Sequence, residues 1–173
     1  MRTIRGFTLV ELMVTVLILA IAVGLAWPSY QSVIRSNRIT SANNEFITLI
    51  SYARTESIRN SRGSGLCLSQ DGTQCDGGFD DGWIVWPDLN ANRAKDANEQ
   101  PLRELQANPQ MVFEAANASS PGSLVFDSRG RISDNTPRTY ALRPADCKTD
   151  TSYQRTVTIL ASGQTRVERS QCP

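Results

Sequence analysis

Histidine is absent from the 173 residues. Its absence excludes Ser-His-Asp and Cys-His nucleophile systems, His-ligated zinc, and an imidazole acid or base working near neutral pH. Catalysis by carboxylates alone survives, which makes an enzyme the minority reading. Excess charge of either sign is also lacking, since 18 Lys+Arg face 17 Asp+Glu for a net charge of +1. Such a balance argues against coating nucleic acid through bulk electrostatics, although it permits local patches. Cysteine is scarce, with four residues, and none falls in the Cys-x-x-Cys spacing of a redox or zinc site. No internal repeat or low-complexity linker is present, and the length suits one domain burying about two-thirds of its surface.

The apolar residues that are present concentrate in one run, Phe7 to Trp27. At about 1.5 Å rise per residue, its helix matches the roughly 30 Å hydrocarbon of a bilayer. Arg2 and Arg5 precede it and are expected to hold the N-terminus on the cytoplasmic side, placing everything after Trp27 outside. An ordinary secretory signal with cleavage at Ala20-Ile21-Ala22 is the simpler alternative. The run is long for a signal core, however, and Glu11 interrupts it. An ionisable side chain there costs a few kcal/mol, about 3 on insertion scales, and implies a partner or a function.

Beyond Pro28, which with Gly24 is expected to kink or loosen the rod, the helix is expected to resume. Ile39, Ala42, Phe46, Leu49, Ile50 and Ala53 recur at three- and four-residue spacings as one apolar stripe. Arg35, Arg38, Glu45, Arg54, Glu56 and Arg59 are assigned mainly to the remaining surface, and Ser61-Arg62-Gly63 to the helix end. Strands are expected at Leu66–Leu68, Trp83–Trp86, Met111–Phe113, Leu124–Phe126, Tyr140–Leu142, Thr156–Leu160 and Gln164–Arg169, punctuated by turns such as Asp71-Gly72. The expected class is α+β, a long N-terminal helix spanning a membrane and then packing on an antiparallel sheet. Its boundaries are a short basic leader at 1–6, a membrane-spanning helix at 7–27, and a head at 28–173. Within the head an amphipathic helix covers about 29–60 and a β-rich region about 64–173.

Gly6-Phe7-Thr8-Leu9-Val10-Glu11, between a short basic leader and an unbroken apolar stretch, resembles the class III signal of type IV pilins and pseudopilins. The resemblance implies that a prepilin peptidase cuts between Gly6 and Phe7 and N-methylates Phe7. It further implies that Glu11 pairs with the α-ammonium of a neighbouring subunit and sets filament register. Pairing rewards docking, because an unpaired buried carboxylate is costly. Ala53-Arg54-Thr55-Glu56-Ser57-Ile58-Arg59, Trp83-Ile84-Val85, Leu124-Val125-Phe126-Asp127-Ser128-Arg129-Gly130 and Ser162-Gly163 together resemble the GspH/FimT group of minor pilins and pseudopilins. That likeness implies a FimU/FimT-like subunit that primes a pilus and sits at its tip. It implies major and minor pilins and an inner-membrane assembly platform as partners, with the inner membrane as the starting location and the head in the periplasm.

An oxidising exterior favours disulfides, and four cysteines allow three connectivities. Cys67 with Cys75 closes a short turn-rich loop. Cys147 with Cys172 resembles the C-terminal disulfide loop of pilins. In the segment Asp88 to Glu99, the oxygens of Asp88, Asn90, Asn92, Asp96 and Glu99 and the carbonyl of Ala94 follow an EF-hand-like pattern for calcium. Arg93 stands where that pattern needs glycine and Lys95 adds unfavourable charge, so a solvated connection is the preferred expectation and no cofactor is required.

Some FimT-like pilins bind DNA through Gly-Arg-x-Arg near the C-terminus. The matching residues here are Gly163-Gln164-Thr165-Arg166, which leaves Arg166 and Arg169 as the DNA candidates and one phosphate contact fewer. Residues 129–169 hold eight basic and four acidic side chains, against three and nine in residues 71–114. This asymmetry favours docking between subunits over DNA. Three alternatives stand beside the pilus subunit of twitching motility or adhesion. They are a type II secretion pseudopilin, a FimT-like DNA-binding pilin in natural transformation, and a secreted calcium-binding protein or carboxylate enzyme.

Overall fold

The computed structural model describes residues 7–117 and 120–173. Gly6 and the basic leader therefore lie outside the described residues. The chain divides into two compact units, residues 1–37 and 38–173. Helix α1, Leu9–Asn60, begins in the first and ends in the second. It starts on a local device. Thr8 Oγ1 accepts the Glu11 N–H at 3.2 Å and Thr8 O accepts the Leu12 N–H, so the Thr-x-x-Glu spacing caps the helix while Glu11 offsets its dipole. At the other end Asn60 Oδ1 accepts the N–H groups of Arg62 and Gly63, and Ser61 turns the chain at φ 57°.

In the first unit Phe7, Leu9, Val10, Leu12, Met13, Val14, Val16 and Leu17 are all exposed. These residues fall on every side of the helix, so it is apolar all round. Its best 18-residue window has a mean hydropathy of 2.6, enough by length and composition to cross a membrane.

Among the described residues of the second unit, eight strands form two antiparallel sheets where the sequence suggested one. The first joins β1 (Gly63–Ser69), β2 (Gly82–Pro87), β3 (Arg103–Leu105) and β5 (Ser123–Asp127) in the order β3-β2-β1-β5. The second joins β4 (Met111–Ala115), β6 (Arg138–Pro144), β7 (Gln154–Ile159) and β8 (Thr165–Ser170) in the order β4-β6-β7-β8. The stripe Ile39, Ala42, Phe46, Leu49, Ile50 and Ala53 is buried throughout against both sheets. The Phe46 ring meets Trp83 of the first sheet at 5.2 Å and Phe113 and Tyr140 of the second at 5.4 and 5.7 Å. Burial raises the Tyr140 phenol above its ordinary pKa, keeping its proton for the 2.8 Å bond to Pro121 O.

Two side chains assigned to the exposed helix face lie elsewhere. Glu56 is buried and forked onto Arg59, with both oxygens at 2.8 Å. Arg54 is half-buried and donates from Nε to Gly130 O at 3.0 Å. Both disulfides have the expected partners, Cys67–Cys75 and Cys147–Cys172, with Cα separations of 5.5 and 5.9 Å.

Candidate functional site

Three stretches far apart in sequence meet around Arg54. The turn after β5 is drawn tight by Asp127, whose Oδ1 accepts the N–H groups of Arg129 and Arg131 at 2.9 Å. That turn places Gly130 at φ 73°, with its carbonyl on Arg54. The β7–β8 turn brings Gly163, at φ 77°, so close that a Cβ there would lie 2.0 Å from Gly130 O and 3.0 Å from Arg54 Nε. Ile132 N–H donates to Ala161 O at 3.0 Å and ties the two turns together. The helix, the end of the first sheet and the C-terminal hairpin are therefore clamped at one point.

In the Asp88–Glu99 loop the side chains of Asp88, Asn90, Asn92, Asp96 and Glu99 all enter local hydrogen bonds, while of Ala94 the N–H rather than the expected carbonyl takes part. Asp88 and Glu99 are buried, yet their oxygens are occupied by the loop's own N–H groups. Asp88 accepts from Asn92 and Arg93, and Glu99 accepts from Leu89 and Asp96. Asn90 and Asn92 each donate an amide N–H to Asp96 Oδ2, at 2.7 and 2.9 Å. Asn92 Oδ1 accepts the N–H of Ala94 at 2.8 Å. Arg93 adopts φ 67° at the position where the calcium pattern calls for glycine. Among the described residues no group of three or more His, Cys, Asp or Glu is arranged to hold a metal.

Strand β8 carries the two candidate DNA contacts on opposite faces. Arg166 is paired with Glu168 at 3.0 Å. Arg169 stands directly across from Arg155 of β7. Arg155 shares one face of β7 with the buried Val157 and Ile159 and is itself 6% exposed. Burial, reinforced by the charge on Arg169, lowers the Arg155 pKa.

Residues 42–163 match the family profile described as "Type II transport protein GspH", and residues 1–27 match the "Prokaryotic N-terminal methylation motif". The chain belongs to the GspH family of minor pilins and pseudopilins. This is a family of filament subunits, not of enzymes. The chain is 30% identical over 172 residues to the pilin-like protein PilA1 of Thermus thermophilus, covering 96% of this chain and 99% of that one. It is 36% identical over 74 residues to type II secretion system protein H of Pseudomonas aeruginosa, 43% of each chain. The fold resembles the crystal structure of the P. aeruginosa type IV minor pilin FimU, with a TM-score of 0.58 and 22% identity over 78% of this chain and 94% of that one. It also resembles the minor pseudopilin EpsH of Vibrio cholerae, with a TM-score of 0.50 and 16% identity over 75% and 95%.

The stretch matched to GspH runs from Ala42 in the apolar stripe to Gly163 in the clamp, taking in the later part of α1 and strands β1 to β7. Strand β8 lies beyond the last matched residue. The sequence expectations contained Arg54, Gly130 and Gly163 only as separate motifs. The Arg155–Arg169 opposition was missed entirely, because it depends on a strand register that residue spacing does not reveal.

Proposed function

We propose that this GspH-family chain is a minor pilin that primes assembly of a type IV pilus and remains at its tip. The observation that carries this reading is the match to a pilin-like protein along nearly the whole of both chains, set against the match to the secretion protein over less than half. The mechanism is mechanical. Prepilin peptidase removes residues 1–6, and the apolar helix waits in the inner membrane until the assembly platform lifts it into the filament. Glu11 then meets the new α-ammonium of Phe7 on a neighbour. A type II secretion pseudopilin is the second reading, supported by the same family and by the 36% match.

Subunits recovered from sheared surface filaments are expected to begin at N-methylated Phe7. A chain beginning near Trp27 would sink both readings. Glu11→Ala is expected to insert into the membrane at least as well, since it removes a carboxylate costing up to about 3 kcal/mol, yet to fall at least tenfold in filaments. Recovery only from secretion pseudopili would favour the second reading.

We further propose that the Asp88–Glu99 loop needs no cation. Asp96 Oδ2 already accepts from the amides of Asn90 and Asn92, and both oxygens of Asp88 and Glu99 accept backbone N–H groups. Millimolar calcium is expected to shift the melting temperature of the head by less than about 1 °C. Saturating a site a hundredfold above its Kd would stabilise by about 2.7 kcal/mol, an effect of several degrees, and a rise of that size would replace this account with a calcium site. DNA is not needed to explain Arg166, whose charge Glu168 already offsets.

A further inference from the structure

β8 is the outer strand of the second sheet, paired on one side only. None of its six residues is buried. On one face Thr165, Val167 and Arg169 continue the rows of Ile159, Val157 and Arg155. The β7 members of those rows are buried, while Val167 and Arg169 are open to solvent. Like charges directly opposite across a ladder are unfavourable, and a buried guanidinium calls for an anion. Neither is answered among the described residues. Among the described residues Arg155 donates only from Nη1, to Ser152 O and Gln154 O at 3.2 and 3.1 Å, and neither it nor Arg169 has a carboxylate partner. Other buried charges in the head are met, Glu56 by Arg59 and Arg138 by Asp134 as ion pairs, and Asp88 and Glu99 by two backbone N–H groups each.

We propose that the Arg155–Arg169 pair, with Val167 beside it, is a socket for a carboxylate side chain of an adjacent pilin subunit. Two guanidinia on one face suit a carboxylate, which accepts from both at once. The apolar Val167 in the same row suits a protein surface. A phosphate backbone fits less well, because the next guanidinium along the strand, Arg166, lies on the opposite face and is already paired with Glu168. This chain itself exposes carboxylates of the complementary charge at Asp71, Asp76, Asp80 and Glu104. The socket rests on the filament-subunit reading and adds to it the contact that orders the head against its neighbour.

The test places a photo-crosslinking residue at Val167 of the full-length chain in cells, with products read from both the inner membrane and sheared filaments. A crosslink to an Asp- or Glu-containing peptide of another pilin subunit is expected. Arg169→Glu should reduce recovery in filaments at least tenfold, and changing the crosslinked carboxylate to Lys should restore it. Arg166→Gln should stay within twofold of wild type, and unchanged protease resistance of Arg169→Glu would show that its head still folds. Crosslinks to nucleic acid alone, no crosslink to a subunit in either fraction, or full incorporation of Arg169→Glu would each overturn the socket. Absence of the wild-type chain from filaments would count against the pilus reading, while the membrane crosslink would still decide the socket.

Discussion

Gly163→Ala is expected to destabilise the head by about 2–5 kcal/mol, combining a left-handed backbone that alanine resists with overpacking against fixed atoms. The added Cβ would lie 2.0 Å from Gly130 O, a backbone atom that is itself held by the Arg54 guanidinium. No flexible side chain can swing away to relieve that contact. Relief requires the β7–β8 turn or the Gly130 turn to move, and the Ile132–Ala161 hydrogen bond resists both. Urea unfolding measures the loss as a lower midpoint at an unchanged slope. Gly163→Asn separates the two causes, since asparagine tolerates positive φ but still brings a Cβ. It is expected to cost nearly as much as alanine, and a near-wild-type midpoint for asparagine would show that conformation rather than space fixes the glycine. Because the hairpin carries Arg169, the same substitution should also lower filament recovery.

What could be seen in the sequence was what is local. The Phe7-to-Glu11 pattern lies within one helical turn, and the stripe from Ile39 to Ala53 repeats at helical spacing, so both were visible without any knowledge of tertiary partners. Seven of the eight strands announced themselves through apolar β-formers or a hairpin turn. The exception, Arg103–Leu105, has one apolar residue in three, and its pairing comes from β2 through register Val85↔Arg103. The division into two sheets was hidden for a related reason, since β5 returns to β1 across some sixty residues while β4 between them joins β6. Arg54 and Glu56 were misplaced because a charged residue on a helix normally faces water. Here one stem lies under the Gly130 turn and the other carboxylate is forked by a neighbour.

Phe46→Ala is expected to cost about 4 kcal/mol, within the range for emptying an aromatic core position. Phe46 is fully buried, and its ring lies against Trp83 in one sheet and Phe113 and Tyr140 in the other. Such aromatic pairs add roughly 0.5–1.5 kcal/mol each beyond their burial, and all three are lost together. The neighbours are poorly placed to collapse into the gap, since Tyr140 is anchored through its hydroxyl to Pro121 O and Trp83 is locked into register with Leu68 and Leu105. Phe46→Leu retains much of the volume and is expected to cost about 1.5 kcal/mol. Near-UV circular dichroism and Trp fluorescence of the head should report the loss at lower urea. Since one ring joins both sheets to the helix, the variant should unfold in a single transition. Two separated transitions would mean that each sheet holds its own core and that Phe46 does not unite them.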